Sequence, residues 1–339
     1  MIEIDGSYGE GGGAILRQAL GLSAYAGRAV RICNIRARRA SPGLAAQHLR
    51  SVEAAGAICG ARVRGASLGS SELIFEPGSI QPGTFHVDIG TAGSTTLVLQ
   101  TILLPALTHA GEFHFRLLGG TDVAWSPPVD YFANVTLGAL RRFGEGRVRV
   151  ERRGYYPKGG GRVEARLTGG AELNGPLNCE RPGITRAIRG VSHAAGRLRD
   201  RRVAERQADA ADHILTRLGC PIDIRTEYSD SANPGSGITL WTETDHGPSL
   251  GGSALGARQK PADEVGREAA RALLAEMDSG GALDRHLADQ LIPFLAVVGG
   301  AITTSAITEH TRSNAHVAKL ILGTTIRIEG LRVRAQPNS

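Results

Sequence analysis

Residues 16–26, LRQALGLSAYA, form the first of three related segments that decide the fold of this chain. The other two are residues 96–109, TLVLQTILLPALTH, and residues 288–298, ADQLIPFLAVV. Each segment predicts an apolar helix with a polar interruption near its start, and a glycine soon after each one predicts where the helix ends. The chain therefore carries an internal repeat.

The repeat continues beyond these helices in the same order. Each helix is followed by a β-like run, and the three runs are AVRICNIR, EFHFRLLG and AITTSAIT. A polar loop follows each run, at residues 36–43, 119–128 and 309–314, and a second helix and another strand come next. Three such units predict a fold of the α/β (α+β) class, with three repeated helix and sheet units around a pseudo-threefold axis. The three polar loops would then lie at equivalent ends of three sheets, where they can converge.

Residues 185–276 interrupt the repeat between its second and third copies. This stretch predicts a strand, an amphipathic helix, two more strands, a glycine-rich loop (SLGGSALGARQKP) and a long helix with acidic residues in its first turn. We therefore predict a discontinuous large domain, residues 1–184 and 277–339, and a small inserted α+β domain, residues 185–276. Whether the long helix packs on the insertion or on the main body stays open.

The composition is that of a globular chain. With 339 residues, of which 41% are apolar and 21% charged, the chain is long enough to bury a full core. The start, MIEIDGSYGEGGG, has no basic or apolar leader, and the apolar stretches are too short to span a membrane. The four cysteines have neither zinc-site nor disulfide spacing. We expect a soluble cytoplasmic protein without a membrane partner.

The positive charge of the chain is carried almost wholly by arginine. The formal net charge is +6, and only three of the 39 basic residues are lysines, at positions 158, 260 and 319. Arginine binds phosphate and carboxylate groups through two parallel hydrogen bonds, so this excess fits a phosphate-binding surface. A composition rich in alanine, glycine and arginine through codon usage explains it equally well.

Two candidate anion sites lie near the first helix. Residues 9–13, Gly-Glu-Gly-Gly-Gly, expose backbone N–H groups ahead of a helix, although a tight turn explains a glycine run as well. Glu10 in this segment is a candidate metal ligand or a solvated carboxylate. The arginine-rich loop that begins at Arg36, with Gln47 and His48 after it, predicts a pocket for a terminal phosphate or a solvated basic strand end.

His310 is the candidate nucleophile. A neutral imidazole attacks phosphorus without first losing a proton, but an isolated histidine is more often structural. The repeat places His310, in the third polar loop, where the arginines of loop 36–43 lie in the first copy. Asp289 and Gln290 lie at the start of the preceding helix, at the place that Arg17 and Gln100 take in the first helices of the other two copies.

Two smaller motifs remain. The sequence YYPKGGG, residues 155–161, predicts a hairpin, and residues 251–256 are assigned no chemistry.

These motifs resemble those of the RNA 3'-terminal phosphate cyclases over essentially the whole chain. The resemblance rests on DGSYGEGGGAILRQALGLS, RARRASPGLAAQHL, GTAGSTTLVLQT, GGTDVAWSPP, YYPKGGG, SALGARQKPADEVGREAA, HLADQL and EHTRSNAH. It implies three repeated α/β units with an inserted domain, and the ATP-dependent conversion of an RNA 3'-phosphate to a 2',3'-cyclic phosphate. The implied route runs through a histidine–AMP and then an RNA(3')pp(5')A intermediate.

The resemblance also assigns roles to individual residues. It implies His310 as the nucleophile and Glu10 as the ligand of a divalent metal, Mg²⁺ or Mn²⁺, shared with the ATP phosphates. The implied ATP contacts are Gln100, Pro127, His286, Asp289 and Gln290. The implied pocket for the RNA terminal phosphate comprises Arg17, Arg36, Arg39, Gln47 and His48. This chain departs from the family in having His286 where an aromatic residue is common, and Arg38 and Ser41 in the first polar loop.

Other functions remain as alternatives. A cyclase-like protein of ribosome biogenesis lacks the histidine nucleophile, whereas this chain has His310. An RNA-binding module without catalysis would retain RNA in a salt-sensitive way and form no covalent intermediate. An enolpyruvyl-transferase-like enzyme would need a phosphorylated small substrate and no ATP. RNA 3'-phosphate ends are the expected partner, no obligatory protein partner is expected, and a homodimer stays open.

Overall fold

The computed structural model describes residues 1–171, 173 and 175–338, and these residues contain four sheets of four strands each. The first repeat comprises β1 (Ile2–Asp5), α1 (Gly13–Ala26), β2 (Val30–Cys33), α2 (Ala46–Cys59), β3 (Arg62–Arg64) and β4 (Leu73–Glu76). β1 and β2 pair in parallel, and β4 runs antiparallel to β2 and β3. The strand order of the sheet is therefore β1-β2-β4-β3.

The second repeat has the same topology. It comprises β5 (Gly83–Asp88), α3 (Thr95–Thr108), β6 (Gly111–Gly119), α4 (Val129–Tyr131), a π-helical turn (Phe132–Thr136), α5 (Leu137–Ala139), β7 (Glu145–Arg152) and β8 (Gly161–Gly169). β5 and β6 are parallel and β8 is antiparallel to β6 and β7, which gives the order β5-β6-β8-β7. The hairpin predicted at YYPKGGG is confirmed, because residues 153–160 join β7 to β8.

The third repeat is split by the insertion. Its first strand, β9 (Leu177–Cys179), precedes a separate sheet whose elements are β10 (Thr185–Ala195), α6 (Val203–Leu215), β11 (Ile222–Ser229), β12 (Ser236–Thr244), β13 (Gly247–Leu255) and α7 (Ala262–Asp278). The rest of the repeat is α8 (Arg285–Val298), β14 (Gly300–Thr303), α9 (Glu309–Leu322), β15 (Thr325–Glu329) and β16 (Arg332–Gln336). β9 pairs in parallel with β14, so the order β15-β16-β14-β9 repeats the topology of the first two sheets.

These sheets confirm the predicted α+β fold of repeated units. The inserted sheet has the order β11-β10-β12-β13, and α7 packs on it against β13 and α6, which answers the question left open about that helix. The division into domains at 185 and 276 stays a prediction. In the structure β10 begins at Thr185 and α7 continues to Asp278.

Two predicted loops are wrong. Residues 309–314 begin α9, because the Thr308 hydroxyl caps the helix and forms a capping box with Thr311. Much of the predicted glycine-rich loop belongs to β13, where the glycines allow close packing rather than flexibility. A Cβ at Gly251 would lie 2.5 Å from the Tyr131 ring, and one at Gly252 would lie 2.4 Å from the backbone nitrogen of Leu273 in α7.

The first helices of the repeats build the main core. α1 packs against α3 and α9, and its side chains Leu16, Leu20 and Leu22 are buried. The crossing of α1 and α3 is close, because a Cβ at Gly21 would lie only 2.5 Å from the carbonyl oxygen of Thr101. Within the described ranges, none of the helices has the length and apolar character needed to cross a bilayer.

Candidate active site

A cavity of about 1130 Å³ lies between the repeats and the inserted sheet. The polar segments of the first two repeats and the start of α9 in the third all contribute to its wall, so the segments converge. All twelve site residues named from the sequence line it: Glu10, Arg17, Arg36, Arg39, Gln47, His48, Gln100, Pro127, His286, Asp289, Gln290 and His310. Their roles remain predictions.

The glycine segment ahead of α1 brings the backbone against basic side chains. A Cβ at Gly12 would lie 2.7 Å from Nη2 of Arg39, and one at Gly13 would lie 2.1 Å from Nε2 of His48. α1 starts at Gly13 without a side-chain cap, so its first N–H groups have no side-chain acceptor there. A side chain at Gly12 or Gly13 would therefore clash with Arg39 or His48, so glycine is needed for the backbone to lie this close to them.

The first repeat supplies a basic wall of Arg17, Arg36, Arg39 and His48. Burial lowers the pKa of Arg17 to about 10, and burial together with the charge of Arg39 lowers that of Arg36. The pKa of His48 falls to about 3, because this ring is buried and faces the charges of Arg17 and Arg36. In the described structure Arg17 and Arg36 have no carboxylate partner, although Arg36 Nη1 donates to the Gly43 carbonyl at 2.7 Å. An anion bound here would offset the repulsion between these groups.

Glu10 lies between the basic wall and His310. Its Oε2 is 3.2 Å from Nη2 of Arg39 and 4.0 Å from Nε2 of His310. A single carboxylate fits a magnesium ion whose remaining ligands are waters and substrate phosphates, since this ion usually takes one or two carboxylates from a protein. The chemistry of Glu10 therefore suits a metal held jointly with a nucleotide.

His310 is the second residue of α9, and α8 holds the start of that helix. The Thr308 hydroxyl donates to both carboxylate oxygens of Asp289, at 2.8 and 2.9 Å, and the Thr311 hydroxyl donates at 2.6 Å. The Asn314 amide donates to the Asp289 carbonyl at 2.9 Å. Asp289 is 6% exposed, and burial raises its pKa. Both Asp289 oxygens are thus engaged in positioning the His310 turn.

Other predicted nucleotide contacts are also tied to the scaffold. The Gln290 side chain accepts a hydrogen bond from the Thr136 hydroxyl at 2.9 Å and donates to the His286 carbonyl at 3.0 Å. The Pro127 carbonyl accepts from Thr96 at 2.8 Å. Gln47, on the phosphate side, accepts from the Ser94 backbone nitrogen at 2.8 Å. These bonds hold these parts of the cavity wall in a defined shape.

Three supporting residues were not identified from the sequence. Asp284 caps α8 by accepting from the backbone nitrogens of His286 and Leu287, both at 2.9 Å. It also accepts from the Tyr131 hydroxyl and from the Gly251 nitrogen, each at 2.8 Å. Burial raises the pKa of Asp284 to about 6. An aspartate just before a helix is a recognisable cap signal, but nothing in the sequence pairs it with Tyr131 or Gly251.

The second polar loop is anchored by a buried cluster of charges outside the cavity. Arg153 is 1% exposed and pairs with Asp122 at 3.0 Å and with Asp130 at 2.8 Å. Two residues of the inserted sheet join the cluster: Glu227 pairs with Arg153, and His193 lies beside Asp122. Among the described residues Asp122, Asp130 and His193 alone have the ligand spacing of a metal site, but both aspartates already pair with the Arg153 guanidinium, so the cluster holds a cation of its own. Asp122 therefore anchors the second polar loop from the interior and does not line the cavity.

Comparisons with known proteins agree with one another. A family model described as RNA 3'-terminal phosphate cyclase matches residues 8–328. The chain is 52% identical over 336 residues to a protein of that name from Archaeoglobus fulgidus, covering 98% of this chain and 99% of the relative. Proteins of the same name from Pyrococcus furiosus and Methanopyrus kandleri are 49% and 47% identical, and each alignment covers 97% of this chain and 96% of the relative.

Proposed function

Because the chain belongs to the RNA 3'-terminal phosphate cyclase family, we propose that it is an ATP-dependent ligase that converts an RNA 3'-phosphate to a 2',3'-cyclic phosphate. The observation that carries the proposal is the position of His310, whose Nε2 lies 4.0 Å from Glu10 Oε2 in a cavity walled by Arg17, Arg36 and Arg39. The proposed nucleophile, metal ligand and phosphate pocket thus share one cavity. The proposed use of ATP and RNA ends agrees with the cytoplasmic location expected from the sequence.

In the first proposed step Nε2 of His310 attacks the α-phosphorus of ATP. An N–P bond forms, the bond from the α-phosphorus to its bridging oxygen breaks, and pyrophosphate leaves with that electron pair. The ring must present a lone pair, so it reacts in its neutral form. Asp289 orients the turn through Thr308 and Thr311. A divalent ion on Glu10 would neutralise phosphate charge when bound.

In the second proposed step an oxygen of the RNA 3'-phosphate displaces His310 from the AMP phosphorus. The basic wall holds the terminal phosphate, because guanidinium groups bind phosphate oxygens in pairs. In the third step the neighbouring 2'-hydroxyl attacks the activated 3'-phosphorus, loses its proton and expels AMP. The attacking hydroxyl is held beside the phosphorus by the ribose itself, so proximity supplies much of the rate.

The decisive experiment is covalent labelling of the whole protein with α-labelled ATP and a divalent metal. We expect a label that is acid-labile and base-stable, as a phosphoramidate is, and that is absent from His310→Ala. His316→Ala is the matched control and should label normally, because His316 stacks on Tyr8 and lies outside the cavity lining. Labelled protein should then pass AMP to RNA ending in a 3'-phosphate and not to RNA ending in a hydroxyl.

Each outcome of this experiment has a distinct meaning. If the wild-type protein stays unlabelled with both Mg²⁺ and Mn²⁺, the nucleotidyl-transfer proposal fails, and retention of RNA would then favour a non-catalytic cyclase-like protein. If His310→Ala still labels, the reaction class stands and His310 is not the nucleophile.

A further inference from the structure

The second polar loop carries the most exposed aromatic side chain among the described residues. Trp125 is 100% exposed and lines the cavity that contains His310. Its φ of +66° lies in the left-handed region, which is uncommon for a large residue other than glycine. A bulky apolar ring is therefore held in solvent at the mouth of the site by a costly backbone conformation.

The exposure of Trp125 does not come from a loose loop. The Ser126 hydroxyl donates to the Val123 carbonyl at 3.0 Å, and the Val129 nitrogen donates to the Thr121 carbonyl at 3.0 Å. Asp122 belongs to the buried cluster around Arg153, and Pro127 accepts from Thr96. Both ends of the loop are thus fixed, and the indole ring is presented from a rigid support.

The exposed ring has no partner of its own in the described structure. It takes part in none of the aromatic pairs or cation–π contacts formed by other rings, such as Tyr8 with His316 or Arg199 with Tyr228. A tryptophan ring buries about 150–250 Å² when it is covered. A flat partner stacked on one face of the ring would remove part of this apolar area from water, which favours binding. The proposed substrate, an RNA strand, carries flat bases that can serve as this partner.

We propose that Trp125 is a stacking platform for a nucleobase of the RNA strand where that strand leaves the cavity. This inference rests on the proposed function, which places the terminal phosphate inside the cavity against the basic wall. An RNA chain is a polymer and must pass the cavity mouth, whereas a single nucleotide can be enclosed. Stacking on an aromatic ring accepts any base, which suits a protein that reads an RNA end and not a sequence.

Tryptophan fluorescence tests the contact directly. The chain has two tryptophans, so in Trp241→Phe the emission comes from Trp125 alone. We expect RNA ending in a 3'-phosphate to quench this emission in a saturable way, and ATP alone to leave it nearly unchanged. If ATP alone quenches the emission and RNA has no further effect, the proposal is overturned, because Trp125 then contacts the adenine base of ATP.

Kinetics give the second test. In Trp125→Ala and Trp125→Asn we expect the KM for RNA to rise about tenfold or more, with kcat and self-labelling by ATP nearly unchanged. Asparagine tolerates the left-handed conformation, so that variant keeps the loop shape. Trp125→Phe keeps a ring and should behave almost as the wild type. If the KM rises in Trp125→Ala but not in Trp125→Asn, the effect comes from the shape of the loop. That result would overturn the stacking proposal.

An RNA whose last nucleotides lack bases separates stacking from other effects. We expect this substrate to bind the wild type and Trp125→Ala equally well, because there is no base to stack. Equal KM values for normal RNA in both proteins would overturn the inference while the cyclase reaction stands. Failure of the proposed function is a different result, since the wild type would then neither label nor cyclise.

Discussion

Oε2 of Glu10 lies 4.0 Å from Nε2 of His310, although the two residues come from the first and third repeats. The same oxygen lies 3.2 Å from Nη2 of Arg39. One carboxylate therefore connects the proposed nucleophile with the proposed phosphate pocket. A change at Glu10 should affect the nucleotide step first, and a change at Arg39 should affect the RNA step first.

Replacing Glu10 with glutamine should slow self-labelling by ATP. The amide keeps the shape of the side chain but removes the negative charge that a divalent ion requires. We expect the labelling rate to fall at least about tenfold, with a higher metal concentration needed for half-maximal rate. Glu53→Gln, which removes a surface carboxylate paired with Arg50, is the control. An unchanged metal dependence in Glu10→Gln would remove Glu10 from the metal site.

Arg39→Ala should separate the two halves of the reaction. We expect self-labelling to remain largely intact and the KM for RNA ending in a 3'-phosphate to rise about tenfold, as expected for the loss of a charged hydrogen bond to phosphate. Arg38→Ala is a matched control, because Arg38 donates to the Gly9 carbonyl at 2.8 Å and is not part of the cavity lining. Equal loss of both activities in Arg39→Ala would exclude a role confined to the RNA end.

Asp289→Asn should impair the nucleophile without weakening RNA binding. The carboxylate accepts from Thr308 and Thr311, and an amide can accept with only one of its two terminal atoms. We expect the labelling rate to fall at least about tenfold, because displacing a reacting group by about 1 Å can cost about a hundredfold in rate, while the Kd for RNA stays near the wild-type value. Thr311→Ser keeps the hydroxyl and serves as the control. A normal labelling rate in Asp289→Asn would show that this contact does not position His310.

His48 should make the protein less stable in mild acid. Its pKa is lowered to about 3 in the folded chain, while an unfolded histidine titrates near 6.5. The stability that comes from keeping His48 neutral in the folded state is fully present above about pH 6.5. It is lost as the pH falls towards 3, because the unfolded state takes up a proton that the folded state does not. Between pH 6.5 and 5 the loss amounts to at most about 2 kcal/mol. Unfolding in urea at several pH values should show a smaller decline for His48→Asn than for the wild type, and parallel curves would contradict the prediction.

Replacing either of two helix glycines, Gly21 and Gly56, with alanine should change the free energy of unfolding in opposite directions. A Cβ at Gly21 would lie 2.5 Å from the Thr101 carbonyl oxygen, so Gly21→Ala should separate α1 from α3 and cost about 1–3 kcal/mol. At Gly56 in α2 the nearest atom would be a Val63 methyl at 3.7 Å, an ordinary contact. Gly56→Ala should therefore raise the free energy of unfolding by up to about 1 kcal/mol, since alanine favours the helix. Thermal unfolding of both variants checks the pair, and a stable Gly21→Ala would refute the close crossing.

Local signals explain why the repeat could be predicted from the sequence. The apolar run of α3 and the apolar face of α8 both depend on residues close together in the chain. The candidate residues could be named as well, because motifs such as DGSYGEGGG and HLADQL are short and carry the family resemblance. The start of α9 was missed because the string EHTRSN is polar, although the capping pair Thr308 and Thr311 marks a helix start.

The sequence alone determined the repeated architecture, since periodic patterns are properties of neighbouring residues. It supplied the candidate site residues through short motifs and the family resemblance that those motifs carry. Only the tertiary structure decided how those residues meet. It placed Glu10 beside His310, turned both Asp289 oxygens towards α9, and paired Arg153 with Asp122 and Asp130 in the interior. It also left Trp125 fully exposed at the cavity mouth. These features depend on burial and on distances between residues far apart in the chain, which a linear pattern does not contain.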